Sequence, residues 1–164
     1  MPSPRVLGID PGLVGTGWAL VEPEAGGIGV VDTGVIGTTS DLPLDARLHL
    51  IYDGVQRVLE KHAPALLVLE DLYTEYRFPR TALMMAHARG VIVLAARQRA
   101  VAVLALAPAE VKRAITANGA ASKAQIQTGV QRMLGLATTP RPSHIADALA
   151  LALTGLSRRG RQLA

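Results

Sequence analysis

Four residues of this chain have the types and placement to hold divalent metal ions: Asp10, Glu70, His144 and Asp147. Asp10 and Glu70 share a context. Each ends an apolar run, Val6-Leu7-Gly8-Ile9 in one case and Leu66-Leu67-Val68-Leu69 in the other, and each leads into a loop. In α/β sheets, ligand sites lie at the carboxyl ends of parallel strands. If the two runs are neighbouring parallel strands, their terminal carboxylates sit close together. Two such charges repel unless one takes a proton or a cation lies between them. His144 and Asp147 stand three residues apart in an apolar helical stretch, so they share one face. An Asp in such a stretch lies near a buried boundary, where a charge needs a partner. Each feature alone has a plainer reading as a turn former, a helix cap or a first-turn surface residue. Together, three carboxylates and one imidazole suit Mg²⁺ or Mn²⁺. Such clusters support two-metal phosphodiester hydrolysis.

The charge balance points the same way. The 164 residues carry 17 Lys and Arg against 13 Asp and Glu, a formal net charge of +4. A basic chain favours a polyanionic partner, although a merely soluble surface also fits so small an excess. Lysine is scarce: Lys112 and Lys123 are joined only by Lys61. Aromatic residues make up 3% of the chain, and three of them, Tyr73, Tyr76 and Phe78, fall in one short stretch interleaved with Arg77 and Arg80. Aromatic rings among arginines suit base stacking and phosphate contact; a hydrophobic plug anchoring a loop is the alternative. The absence of cysteine excludes a disulfide framework, a thiolate zinc site and a cysteine nucleophile. No apolar run reaches membrane-span length and no signal-peptide pattern opens the chain, so a cytoplasmic protein without a membrane partner is expected.

The elements that must position these residues follow from pattern. Residues 6–9, 17–21 and 28–36 read as three strands in a meander. Residues 43–62 place Leu44, Leu48, Ile51, Val55, Val58 and Leu59 at helical spacing. Residues 66–69 read as a central strand buried on both faces. Residues 81–97 form a helix apolar nearly all round, which needs cover on more than one side; the sheet is one cover and a partner subunit a plausible second. A further strand at 101–106 is followed by a helix from Pro108, a break at Asn118-Gly119, a helix capped by Ser122, and a last helix from Pro142 and Ser143 through Leu153. The order is α/β, with a five-stranded mixed sheet of three antiparallel strands plus parallel strands, flanked by helices. Residues 1–156 make one domain and 157–164 a flexible basic tail.

Leu7-Gly8-Ile9-Asp10-Pro11-Gly12, followed by Gly15-Thr16-Gly17-Trp18, resembles the opening of the RuvC family of Holliday-junction endonucleases. So do Glu70 at its strand end, Ala88-Arg89-Gly90, Pro108-x-Glu110-Val111-Lys112, Asn118-Gly119-x-x-x-Lys123-x-Gln125-Ile126-Gln127, and Ala146-Asp147-Ala148-Leu149-Ala150. These motifs run in order from about residue 5 to 155. The resemblance implies an RNase-H-like fold, a homodimer, and paired nicks in four-way junction DNA. It maps the family's four acidic ligands onto Asp10, Glu70, His144 and Asp147. His144 stands where most members carry Asp, so the site loses a negative charge and gains a softer donor that favours Mn²⁺. The resemblance further implies that Tyr73 stacks at the junction centre, that Lys112 and Lys123 contact phosphate, with Lys123 offsetting transition-state charge, and that a branch-migration complex of the RuvA and RuvB type is a partner. Two other classes remain open to the residues. Asp10-Pro11-Gly12 with Thr16 is similar to the first phosphate loop of actin/hexokinase-like ATP-binding modules, and a His144 that disabled the metal site would leave a junction-binding protein that does not cut.

Overall fold

The computed structural model describes residues 3–72 and 79–162. Three strands come first: β1 (Val6–Asp10), β2 (Gly15–Glu24) and β3 (Gly27–Gly37). Then follow α1 (Leu44–His62), β4 (Leu66–Glu70), α2 (Pro79–Gln98), β5 (Ala102–Leu106), α3 (Pro108–Thr116), α4 (Lys123–Met133) and α5 (Ser143–Gln162). The sheet order is β3-β2-β1-β4-β5. β1 pairs antiparallel with β2, and β2 with β3, while β1–β4 and β4–β5 are parallel. This is the mixed five-stranded, RNase-H-like sheet expected.

Alternation along the central strands divides the core in two. Leu7, Ile9, Leu67 and Leu69 point to one face, where α1 supplies Ile51 and Val55 and α2 supplies Ile92 and Ala96. Val6 and Val68 point to the other, where α5 supplies Leu149 and Leu153, flanked by Val111 of α3 and Val130 of α4. The expected Ser122 cap is a full capping box: its hydroxyl accepts from the Gln125 N–H while the Gln125 side chain accepts from the Ser122 N–H.

Helix α5 continues through Gln162, nine residues past the expected end at Leu153. The stretch from Ser157 to Gln162 is therefore helical where a flexible tail was expected. Leu156 is buried and Arg158 Nη1 lies 3.3 Å from Glu110 Oε1 on α3, so tertiary contact carries the helix beyond its apolar run. Helix α2 is buried along Ala88, Ile92, Ala95 and Ala96 but leaves Leu83 and Leu94 66% and 50% exposed.

The approach of α5 to the sheet is set by glycine. A Cβ on Gly8 would stand 2.0 Å from the Ala148 carbonyl oxygen and 2.7 Å from the Ala152 nitrogen. A Cβ on Gly17 would stand 2.4 Å from the His144 carbonyl oxygen. Both collisions are with helix backbone, which cannot swing aside as a side chain can. Overpacking in such a place costs typically 1–3 kcal/mol and occasionally more. Gly8→Ala should destabilise the fold by about 3 kcal/mol, read as a lower urea midpoint at unchanged slope; a midpoint like that of the parent would mean that α5 is not held at this distance.

Candidate active site

Asp10 and Glu70 end β1 and β4, which are parallel neighbours in the register Gly8↔Val68. Each carboxylate therefore lies two residues beyond the same rung, at the carboxyl edge of the sheet. The Asp71 N–H bonds the Leu106 carbonyl at 2.8 Å, and Arg89 Nη2 lies 3.6 Å from Asp71 Oδ1, which fixes the chain just after Glu70. The first turns of α5 bring His144 and Asp147 to the same edge. His144 Nδ1 is 3.2 Å from Asp10 Oδ2. Lys123, the first residue of α4, places Nζ 3.4 Å from Asp147 Oδ2. Lys112 of α3 is close enough to Glu70 to act on its charge. Arg80, on the first turn of α2, shares with His144 the lining of a cleft of about 600 Å³ beside the loop after β1, closed on the α2 side by Met84 and Met85. Tyr73 and Arg77, like Tyr76 and Phe78, lie outside the described residues. The other histidines are elsewhere: His62 is buried and bonds Asp32 at 3.0 Å, His49 pairs with Asp53 on the surface, and His87 is exposed.

The carboxylates are held against their electrostatic preference. Burial raises the pKa of Asp10, the bond from His144 partly offsets this, and the negative charge of Asp147 raises it again. Glu70 is also raised, first by the surrounding protein although the residue is exposed, and then by the charges of Asp10 and Asp147; Lys112 pulls the other way. Repulsion among these three neighbouring carboxylates, with Asp10 and Glu70 partly desolvated, is the condition that a divalent cation relieves.

Among the described residues no three His, Asp or Glu side chains are already gathered into a cage for an ion. Asp10 and Asp147 are instead turned onto His144 and Lys123. The donor set nonetheless fits a hard or intermediate divalent ion, with carboxylate oxygens from three elements and one imidazole at one sheet edge.

Thr16, together with Arg47 and Thr38, which were not singled out in the sequence, holds the loop that follows Asp10. Thr16 donates its hydroxyl to the Gly12 carbonyl at 2.8 Å and accepts from the Gly12 N–H. Arg47 of α1, only 9% exposed, donates to the Leu13 carbonyl at 2.9 Å and to the Thr38 hydroxyl at 3.2 Å; Thr38 also donates to that carbonyl. Arg47 follows Leu44 by three and precedes Ile51 by four, which places a charge on the apolar stripe of α1; that signal was present in the sequence.

Residues 6–155 match the family model described as crossover junction endodeoxyribonuclease RuvC. The chain belongs to the RuvC family. Relatives of that name include one from Fusobacterium nucleatum, 39% identical over 97% of this chain and 83% of its own length. Another, from Rhodopirellula baltica, is 43% identical over 92% and 84%. Among solved structures, Thermus thermophilus RuvC in complex with Holliday junction substrate superposes with a TM-score of 0.87 at 34% identity, over 95% of this chain and 96% of that one. Family membership does not favour the ATP-binding reading.

The raised carboxyl pKa values make a stability prediction. A group whose folded pKa is raised favours the fold while protonated, below its unfolded value near 3.8 for Asp10, and that contribution is lost as pH rises through the folded value. At pH 7 in chelator, Asp10 therefore works against folding. Asp10→Asn should raise the melting temperature there, by about 2–4 °C for each kcal/mol relieved, and the gain should vanish as the pH falls below about 4. Added Mn²⁺ should stabilise the parent more than the variant. Scanning calorimetry at both pH values decides it; a variant less stable than the parent at pH 7 would mean that Asp10 is not held under repulsion.

Proposed function

We propose that this protein resolves four-way DNA junctions, making paired symmetric nicks by divalent-metal-dependent phosphodiester hydrolysis in recombination and repair. The observation that carries this reading is the meeting of Asp10, Glu70, His144 and Asp147 at one sheet edge of a RuvC-family chain, with Lys123 against Asp147.

Asp10, Glu70, His144 and Asp147 would hold the metal ions, Mg²⁺ or Mn²⁺. When bound there, such ions would supply an ionised water and offset charge on the leaving oxygen. The chain's own residues do the rest. Lys123 reaches the centre of the carboxylate cluster from the start of α4, where its ammonium can offset charge that grows on the phosphate during displacement. Lys112, near Glu70, and Arg80, which shares a cleft with His144, would bind the cut strand through phosphate. Tyr73 would stack at the junction centre, and Arg77 would bind the DNA. Imidazole in place of a carboxylate at His144 shifts preference toward Mn²⁺.

The reading includes a C2 homodimer, which places one site on each of two strands related by the junction's pseudo-two-fold axis. Leu83, His87, Gly90 and Leu94 form one exposed stripe along α2. Nothing lies within 4 Å of the position a Gly90 Cβ would take, so a partner helix can come close there. Among the described residues no helix is long and apolar enough to cross a membrane. A cytoplasmic location and coupling to a branch-migration complex of the RuvA and RuvB type complete the proposal.

A nicking assay on a synthetic four-way junction tests it. The parent should cut two strands of like polarity with Mn²⁺ or Mg²⁺. Asp10→Asn should lose about a thousandfold or more in rate, since each ion contributes several kcal/mol, while still binding the junction. Tight binding without cutting by the parent under either metal would leave a non-cleaving binder. His144→Asp should move the metal preference toward Mg²⁺; an unchanged preference would remove His144 from the ligand set.

A further inference from the structure

A cleft of about 810 Å³ lies between α3 and α4, outside the carboxylate site. The two helices cross where Gly129 meets Ile115: a Cβ on Gly129 would stand 2.9 Å from the Ile115 carbonyl oxygen. Arg113 enters the cleft from α3 and Arg132 from α4. Among the described residues neither guanidinium takes part in an ion pair or a side-chain hydrogen bond, and no carboxylate lines the cleft. By contrast, Arg5, Arg47, Arg89, Arg99 and Arg158 all have partners.

The neutral groups facing the cleft have the same polarity. Asn118 uses its side-chain oxygen to accept from the Ala120 N–H at 2.9 Å. Gln125 uses its own to accept from the Ser122 N–H at 2.8 Å. A backbone N–H can only donate, so these bonds fix the oxygens, and each amide is left with its NH₂ free to donate. The Arg113 stem rests on the turn, its Cγ 3.3 Å from where a Gly119 Cβ would lie, so part of its freedom is already restricted in the free protein. On α4, Gln125, Thr128, Gly129 and Arg132 follow at helical spacing and form one continuous stripe. The lining thus offers two cations and two neutral donors, with no acid against them. Its natural ligand is an anion with several acceptor oxygens, and the apolar patch of Ile115 and Met133 suits the sugar faces between phosphates.

The helix also sets a distance. Lys123 is at the carboxylate cluster and Arg132 is nine residues on, about 13 Å along the axis at 1.5 Å per residue. At about 3.4 Å per nucleotide along one strand, that span is about four nucleotides. We infer that the α3–α4 cleft is a second phosphate-binding site, in which Arg113 and Arg132 grip the sugar-phosphate backbone of a junction arm about four nucleotides from the cut. This extends the substrate track beyond the metal site and rests on the junction-resolving function proposed above.

The test is junction binding by Arg113→Ala/Arg132→Ala against the parent, in Ca²⁺ to prevent cutting, across 50–200 mM salt. Each lost phosphate contact lowers the slope of log K against log salt by about 0.9, so the double variant should lose about 1.8. The parent's advantage should then shrink about tenfold over that range. The doubly lysine variant should keep most of the slope. Neutral methylphosphonates placed three to five nucleotides from the cut should weaken the parent and leave the double variant nearly unchanged. An unchanged slope in a folded double variant, or equal weakening of both proteins by the neutral linkages, overturns the inference. So does displacement of the junction by low millimolar inorganic phosphate acting through these arginines alone, which would mark a small-anion site. A parent that binds no junction would instead defeat the functional reading itself.

Discussion

The short distance between α5 and the first two strands governs the rest of the molecule. Gly8 and Gly17 leave room for helix backbone where any side chain would collide with it. The helix that packs across β1, β2 and β4 on one face of the sheet is therefore the helix that brings His144 and Asp147 to the carboxyl edge, where Asp10 and Glu70 already stand. Packing and chemistry share one contact. The burial of Leu149 and Leu153 of α5 against the sheet offsets the cost of holding carboxylates that repel. Arg47 serves the same end from the opposite layer: buried in α1, it reaches across to the Leu13 carbonyl and steadies the turn after Asp10.

Much of this architecture could be read from periodicity. Continuous apolar runs marked β1, β4 and β5, and the runs ending in Asp10 and Glu70 gave two of the four site residues without further help. His144 and Asp147 were ambiguous as a helix-face pair; the family spacing, rather than their chemistry, attached them to the site. Lys112 and Lys123 likewise became more than solvated lysines only through that spacing, and the structure now puts both within electrostatic reach of the carboxylates.

What could not be read depends on contacts between distant residues. The end of α5 was placed too early because Thr154-Gly155 interrupts the apolar pattern, yet Gly155 sits where a Cβ would crowd Val68, and Arg158 finds Glu110. Local propensity favours a stop there; tertiary packing overrides it. The Arg47 contact joins residues 34 apart, so only the misplaced charge on an apolar stripe hinted at it. The donor-lined cleft between α3 and α4 exists because Gly129 lets two helices cross closely, and no composition of either helix alone shows that.

The charge count of the site explains why a basic chain is built around an acidic centre. With His144 neutral, the three carboxylates Asp10, Glu70 and Asp147 outnumber the lysines Lys112 and Lys123 by one. A phosphodiester arriving there adds another negative charge, and displacement at phosphorus adds more. Lysines alone leave that arrangement repulsive, and burial has already made Asp10 and Glu70 costly to ionise. The donor set is therefore suited to a polyanion only when divalent cations are bound with it. A fourth carboxylate at position 144 would add one more charge opposing the substrate; with His144 there, the cluster beside Asp10 carries three.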